Sequence, residues 1–249
     1  MNDTLATTRV SVVIPNYNYA RHLEACIGSV MAQTHQPIDI VVVDDGSTDD
    51  SCAIIEALLP TIGGERKARF FPQRPNAGKL AALNAVMHEI SNPYMLTLDA
   101  DDILEPDYIN HCLQVMHTAR QENPRTGFVY SDCTLIDSDG TVLDRGRSTT
   151  FDAKLLQTHS FIPEPALCVS EAFLEVMPFD TSILVGTKHH KWLRMVANGW
   201  VGQHIPEPLF RYRMHTGNLS GIGKRVLAEK DAGKRGERIL SGYWVATHL

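Results

Sequence analysis

A chain of 249 residues is long enough for one large α/β domain, or for a nucleotide-sized half with a smaller appendage, and too short for two independent domains of ordinary size. Its 43% hydrophobic and 21% charged residues are globular usage, which excludes a disordered or fibrous protein. A net charge of -6 excludes a surface built throughout to neutralise nucleic-acid phosphates, so no nucleic-acid partner is expected. The first nine residues lack the apolar core of a secretion signal, and no apolar run approaches the ~20 residues of a membrane span. The expectation is a soluble, cytoplasmic chain. Five widely spaced cysteines (Cys26, Cys52, Cys112, Cys133, Cys168) without a CxxC pair read as reduced core thiols.

The first strand reads Val10 to Ile14 and should stop at Pro15, which has no N–H to give a ladder. Leu23, Cys26, Ile27, Val30 and Met31 recur at helical spacing. After Pro37 comes the strand Ile38 to Val43, too continuously apolar for a one-sided strand and therefore expected at the centre of a parallel sheet. Ser47 or Thr48 is the expected cap of a helix carrying Ile54, Ile55, Leu58 and Leu59, ended by Gly63-Gly64. Arg69 to Phe71 forms a short strand, Leu80 to Ile90 a helix closed by Asn92-Pro93, and Tyr94 to Leu98 the next strand. Pro106 precedes a helix with Ile109, Cys112, Leu113 and Met116. Four repeats of strand and helix predict right-handed crossovers and an α/β fold with a mostly parallel central sheet flanked by helices.

After Asn123-Pro124 the alternation breaks. Phe128 to Ser131 and Val142-Leu143 flank the turn sequence Asp137-Ser-Asp-Gly140, which predicts a smaller antiparallel region. A helix from Lys188 to Ala197, a short strand from Val201 to Ile205 and an extended Leu209 to Arg213 follow. From Gly221 the chain is polar and basic.

In an open parallel sheet, ligands sit beyond the carboxyl ends of the strands. Three of those ends carry Pro15-Asn-Tyr-Asn18, Asp44-Asp-Gly46 and Asp99-Ala-Asp-Asp102, so an aromatic ring and several carboxylates should converge on one edge. Neighbouring carboxylates repel in a low-dielectric cleft, and a divalent cation relieves Asp99, Asp101 and Asp102. Mg²⁺ or Mn²⁺ suits oxygen ligands and completes its shell with phosphate oxygens, which points to a nucleoside diphosphate. The plainer alternative is an Asp-rich loop in which Asp102 merely caps the next turn. There is no GxGxxG after the first strand and no GxxxxGK[ST], which disfavours dinucleotide oxidoreductases and P-loop enzymes.

Together, Val-Ser-Val-Val-Ile-Pro-Asn-Tyr-Asn, Val-Val-Val-Asp-Asp-Gly-Ser-Thr-Asp, Asn76-Ala-Gly-Lys-Leu-Ala-Ala-Leu-Asn84 and Leu-Asp-Ala-Asp-Asp resemble the family-two glycosyltransferases of the GT-A fold. The resemblance is strong over residues 9–120 and looser to about 220, through Phe179-Asp180, Trp192-Leu-Arg194 and Tyr212-Arg-Met-His215. It implies a nucleotide-sugar-binding half at 1–124, an acceptor-binding half of the same domain at 125–220, and a basic tail at 221–249. It further implies that Pro15 and Tyr17 line the base pocket, that Asp45 accepts a hydrogen bond from the base, and that Asp44 supports the loop. Lys79 would approach the diphosphate, Asp99 the ribose or metal shell, and Asp101 and His215 would ligate Mn²⁺ or Mg²⁺. The duller readings are that Pro15 ends a strand, Tyr17 packs, and Lys79 and His215 are ordinary helix and loop residues.

The implied reaction moves a sugar, with inversion, from a nucleoside-diphosphate sugar to the hydroxyl of a saccharide or lipid-linked acceptor, in polysaccharide or glycoconjugate assembly. At one place the chain departs from the family. An acidic Glu-Asp pair ordinarily precedes the Trp-Leu-Arg segment, and here Thr187-Lys188-His189-His190-Lys191 stands there. His190 is the first expectation for the missing base, with His189, Asp180 and Glu164 as rivals; a donor-binding chain without transfer activity is the alternative. The lysines and histidines of this segment also suit an anionic acceptor such as a lipid phosphate. The tail, Lys224 to Arg238, has six basic against three acidic residues, which suggests contact with the inner membrane face, although a solvated helix explains it as well. Ile239-Leu240 and Tyr243-Trp-Val245 are expected to pack on the domain or on a second copy in a homodimer.

Overall fold

The computed structural model describes residues 3–218, 222–232 and 238–239. In chain order the elements are α1 (Asp3–Ala6), β1 (Val10–Asn16), α2 (Ala20–Met31), β2 (Ile38–Asp45), α3 (Ser51–Leu58), β3 (Lys67–Gln73), α4 (Lys79–Ala85), β4 (Tyr94–Thr97), β5 (Ile103–Leu104) and α5 (Tyr108–Glu122). They continue with β6 (Thr126–Ile136), β7 (Val142–Arg147), α6 (Ala153–Leu156), β8 (Ala166–Val169), α7 (Ser170–Leu174), α8 (Thr187–Ala197), β9 (Val201–Arg213), α9 (Ile222–Asp231) and β10 (Arg238–Ile239).

One sheet runs through the molecule in the order β10-β7-β6-β8-β4-β1-β2-β3, with β9 beside β6 and β5 on β9. The four strands β3, β2, β1 and β4 are parallel, as the alternation predicts. The chain then reverses: β8 lies antiparallel to both β4 and β6, and β7 antiparallel to β6. The β6–β7 turn is tied by Asp137, whose Oδ1 accepts the N–H groups of Asp139 and Thr141, both at 2.9 Å. Every residue of β2 is buried, because helices cover both faces of the sheet there. Four of the five cysteines are buried, Cys52 is half-buried, and all five are free thiols.

Several expected boundaries move. β1 runs one residue past Pro15, to Asn16: β4 pairs only as far as Val13, so on that side there is no ladder for the proline to interrupt. Neither Ser47 nor Thr48 caps α3, whose N-cap is Asp50 without a side-chain bond. Ser47 is held by Asp44, through its N–H at 2.9 Å and its hydroxyl at 2.5 Å, while the Thr48 N–H donates to Asn18 Oδ1 at 2.8 Å. These residues join two strand ends instead of starting a helix. The α3 helix ends at Leu58, before Gly63-Gly64, and α4 ends at Ala85, with 3₁₀ turns taking up 59–61 and 87–89. The two extended pieces after 200 are one strand, β9, whose register against β6 shifts beside Pro206 and Pro208.

Of the tail, α9 and the two residues of β10 are described; Lys234, Arg235, Glu237, Leu240 and Tyr243-Trp-Val245 lie outside the described residues. Among the described residues no helix is long and apolar enough to cross a membrane.

Candidate functional site

The carboxyl ends of β1, β2 and β4 and the first turn of α8 enclose a cavity of about 710 Å³. Pro15, Tyr17, Asp45, Lys79, Asp99, Asp101 and His215 all line it, so the structure brings these expected site residues together. Asp44 stands just beneath, buried, accepting from Asn16 Nδ2 at 2.7 Å as well as from Ser47. It fixes the loop that carries Tyr17, a cavity-lining residue that is 44% exposed.

Asp45 is held by main chain. Its Oδ1 accepts the Ala77 N–H at 2.9 Å and its Oδ2 the Gly78 N–H at 2.7 Å, which docks the loop before α4 against the end of β2. Gly46 permits the approach: its φ is +77°, and a Cβ there would stand 2.8 Å from the Asn76 nitrogen. That docking aims Lys79, the first residue of α4, inward.

The acidic cluster follows β4. One ligand atom from each of Asp99, Asp101 and Asp102 lies within 4.8 Å of the others. Asp101 is 5% exposed, and its Oδ2 lies 2.9 Å from His215 Nε2. Asp102 accepts the Arg213 N–H at 3.0 Å through Oδ1, while its buried Oδ2 has no hydrogen-bond partner. Burial, and then the charges of Asp101 and Asp99, push the Asp102 carboxyl far above its ordinary range. Burial also pushes Asp99 up, but the Lys79 ammonium beside it more than offsets this and holds its carboxyl below the usual range. An orphaned buried oxygen and three crowded carboxylates, with an imidazole alongside, fit a divalent ion such as Mg²⁺ or Mn²⁺.

Around this cluster the structure adds Tyr19 and His22, which sequence reasoning missed, and it gives Glu164, a rival for the base, to two lysines instead. Tyr19 meets the His215 ring edge-on at 5.7 Å, and His22 stacks on it at 5.9 Å. Burial, and then the Arg213 charge, lower the His22 pKa to about 4. Beneath the cavity floor, Lys79 Nζ pairs with Asp99 Oδ1 and, at 2.6 Å, with Glu164 Oε2. Lys191, fully buried, pairs with Glu164 Oε1 and donates to the Thr97 hydroxyl at 3.0 Å. Glu164 also accepts from Thr97. The i, i+3 spacing of Lys188 and Lys191 was the available signal that both lie on one helix face; nothing local marked Glu164 as the counter-charge of Lys191 and Lys79.

His190 does not enter the cavity. At ~100° per residue, the turn that points Lys188 inward carries His190 to the far side. There its ring meets Phe179 edge-on at 6.3 Å, and burial lowers its pKa. His189 is buried with neither ring nitrogen hydrogen-bonded. Asp180 is exposed and engaged by Ser182, at 2.9 Å from its N–H. At the place expected for the acidic pair, Thr187 and Lys188 line the cavity.

A parallel sheet whose strand ends converge on an acidic cleft, continued by an antiparallel region, defines a domain of the GT-A class. Its backbone is similar to a mannosyltransferase from Pyrobaculum calidifontis solved with GDP-Man and Mn²⁺, at a TM-score of 0.66 and 18% identity over 87% of this chain and 61% of that one. It is also similar to S. aureus TarS 1-349 in complex with UDP, at 0.63 and 14% over 89% of this chain and 65% of the other. In sequence, an uncharacterized glycosyltransferase of Nostoc is 31% identical over 243 residues, 90% of this chain and 70% of its relative. A chondroitin synthase of Pasteurella multocida is 31% identical over 137 residues, and there the match spans 13% of the relative's length. The pattern of glycosyl transferase family 2 matches residues 11–161, and the chain belongs to that family.

Proposed function

We propose that this chain binds a nucleoside-diphosphate sugar in the cavity and transfers the sugar, with inversion and with a divalent ion, to an acceptor oxygen in polysaccharide or glycoconjugate assembly. The observation that carries the reading is the convergence of Asp99, Asp101, Asp102 and His215 with Lys79, Asp45 and Tyr17 in one cavity. Tyr17 presents a ring for a nucleobase, Asp45 a carboxylate for its N–H groups, and Asp99 a carboxylate for ribose hydroxyls. Lys79 places an ammonium where a diphosphate would lie. Asp101 and His215, with Asp99 or Asp102, would hold the ion, which supplies Lewis-acid stabilisation of a leaving diphosphate. The relatives support the donor class: the Pyrobaculum enzyme binds GDP-Man with Mn²⁺, and TarS binds UDP.

Among the described residues the α8 wall carries no unengaged carboxylate, which favours one second reading, a donor-binding chain without transfer activity. The test is release of free nucleoside diphosphate from a panel of UDP-, GDP-, ADP- and dTDP-sugars, with Mn²⁺ and with EDTA. Transfer or hydrolysis that requires the metal supports the enzyme; binding without turnover supports the second reading; no binding of any donor overturns both.

A further inference from the structure

Three carboxylates crowd the end of β4, and three cationic side chains stand among them. Lys79 pairs with Asp99. Arg213, buried, donates its N–H to Asp102 Oδ1 at 3.0 Å and its Nε to the Asp101 carbonyl at 2.8 Å. Lys188 is the third. It lies in the first turn of α8 and lines the cavity with Asp99 and Asp101. Its Nζ is 5.2 Å from the centre of the ring of Tyr212, the residue before Arg213 in β9. Burial brings the Lys188 pKa down to about 8 against the pull of Asp99 and Asp102, which leaves most of the ammonium charged at pH 7.

A divalent ion entering this cluster is attracted by the carboxylates and repelled by the ammonium and guanidinium groups, and in a low-dielectric cleft both forces are strong. A diphosphate changes the balance. Its oxygens complete the shell of the ion, and the cations that repel Mn²⁺ attract the phosphates. With an acid at position 188, as the family resemblance leads one to expect, the ion would meet one attraction more and one repulsion fewer.

We propose that Lys188 sets the order of loading: its charge, beside Asp99 and Asp102, prevents tight capture of a divalent ion until a nucleoside diphosphate brings negative charge into the same cavity. The inference rests on the metal and donor readings above. Lys188 acts through the cluster and needs no bond to the ion. Neutralising this one charge should move two affinities in opposite directions, tightening the hold on the ion and loosening the hold on the diphosphate. A damaged fold would weaken both.

The test uses the full chain at pH 7. Binding of Mn²⁺ alone is followed by the EPR signal of the free ion, and UDP, GDP, ADP and dTDP are titrated calorimetrically at saturating Mn²⁺. Lys188→Met should hold Mn²⁺ alone at least ~10-fold more tightly than wild type, and should bind the nucleotide that wild type prefers at least ~3-fold more weakly. Lys188→Gln, neutral but polar, should behave in the same way. Lys188→Arg and the surface control Lys154→Met should stay within ~3-fold of wild type in both measurements. If a nucleotide binds wild type with Mn²⁺ and neither neutral variant holds Mn²⁺ alone more tightly, the donor reading stands and the role of Lys188 is overturned. Tighter Mn²⁺ with unchanged nucleotide affinity would keep the repulsion of the ion and overturn the attraction of the diphosphate. If neither Mn²⁺ nor any nucleotide binds wild type or variants, the metal and donor readings have themselves failed.

Discussion

On the wall formed by the ends of β1, β2 and β4, main chain and short loops fix the side chains. Asp45 is clamped by two N–H groups, Asp44 by a serine and an asparagine, and Asp102 by the N–H of Arg213. On the wall formed by α8, side chains fix one another: Lys191, Glu164 and Lys79 form a buried chain of charges that ends at Asp99. A wall held by backbone tolerates few alternatives and keeps its motif compact in sequence. A wall held by mutually compensating side chains can change sign when several positions change together. Here that wall carries Lys188 where the family resemblance leads one to expect an acid.

Substitutions on the two walls should therefore fail differently. The largest effect on ligand binding is expected at the backbone-held wall. Asp101→Asn should weaken Mn²⁺-dependent nucleotide binding by more than about 100-fold, since a divalent ion contributes several kcal/mol, with the urea midpoint almost unmoved. Calorimetry showing unchanged affinity would remove Asp101 from the metal site. At the other wall the loss should be in stability. Glu164→Gln strands a fully buried ammonium and should cost about 3–5 kcal/mol in urea denaturation, whereas Glu164→Gln with Lys191→Met should recover much of it. Additive losses would show that the two do not act as a pair.

A pH scan sharpens the same contrast. Burial, and then the Lys188 charge, lower the His189 pKa to about 4, against an unfolded value near 6.5. Between those values the unfolded chain binds a proton that the folded chain refuses, so stability falls as pH drops, by up to about 3 kcal/mol at pH 4. His22 acts in the same sense. His189→Leu should flatten that acid limb, and an unaltered limb in denaturation curves from pH 7 to 4 would show that the ring is not buried neutral. The smallest effect is expected at the exposed Tyr17. Its replacement by alanine should raise the nucleotide Kd by an amount worth roughly 1–3 kcal/mol of base stacking, and no change by calorimetry would assign the ring to packing alone.

The contrast also explains what could be read before the fold was known. The apolar run Ile38 to Val43 announces a central strand, and Asp44-Asp45 and Asp99 to Asp102 announce the cleft, because strand and site residue are adjacent in the chain. Lys79 was legible through its motif, but its second partner, Glu164, is 85 residues away and follows no local pattern. His190 looked a reasonable base by chemistry, and one helical turn sends it to Phe179 instead. Ser47 looked like a cap because its hydroxyl suits that role, and the nearby Asp44 carboxylate competes for it more strongly. Local chemistry was readable; pairings that only tertiary structure creates were not.

The proposed function depends above all on the acidic cluster after β4 binding a divalent ion together with a nucleoside diphosphate. Calorimetric titration of UDP, GDP, ADP and dTDP into the wild-type chain, with and without MnCl₂, tests it most directly. At least one nucleotide should bind, and Mn²⁺ should tighten its binding by at least ~10-fold. Affinities that ignore the metal, or no heat from any of the four, would contradict it.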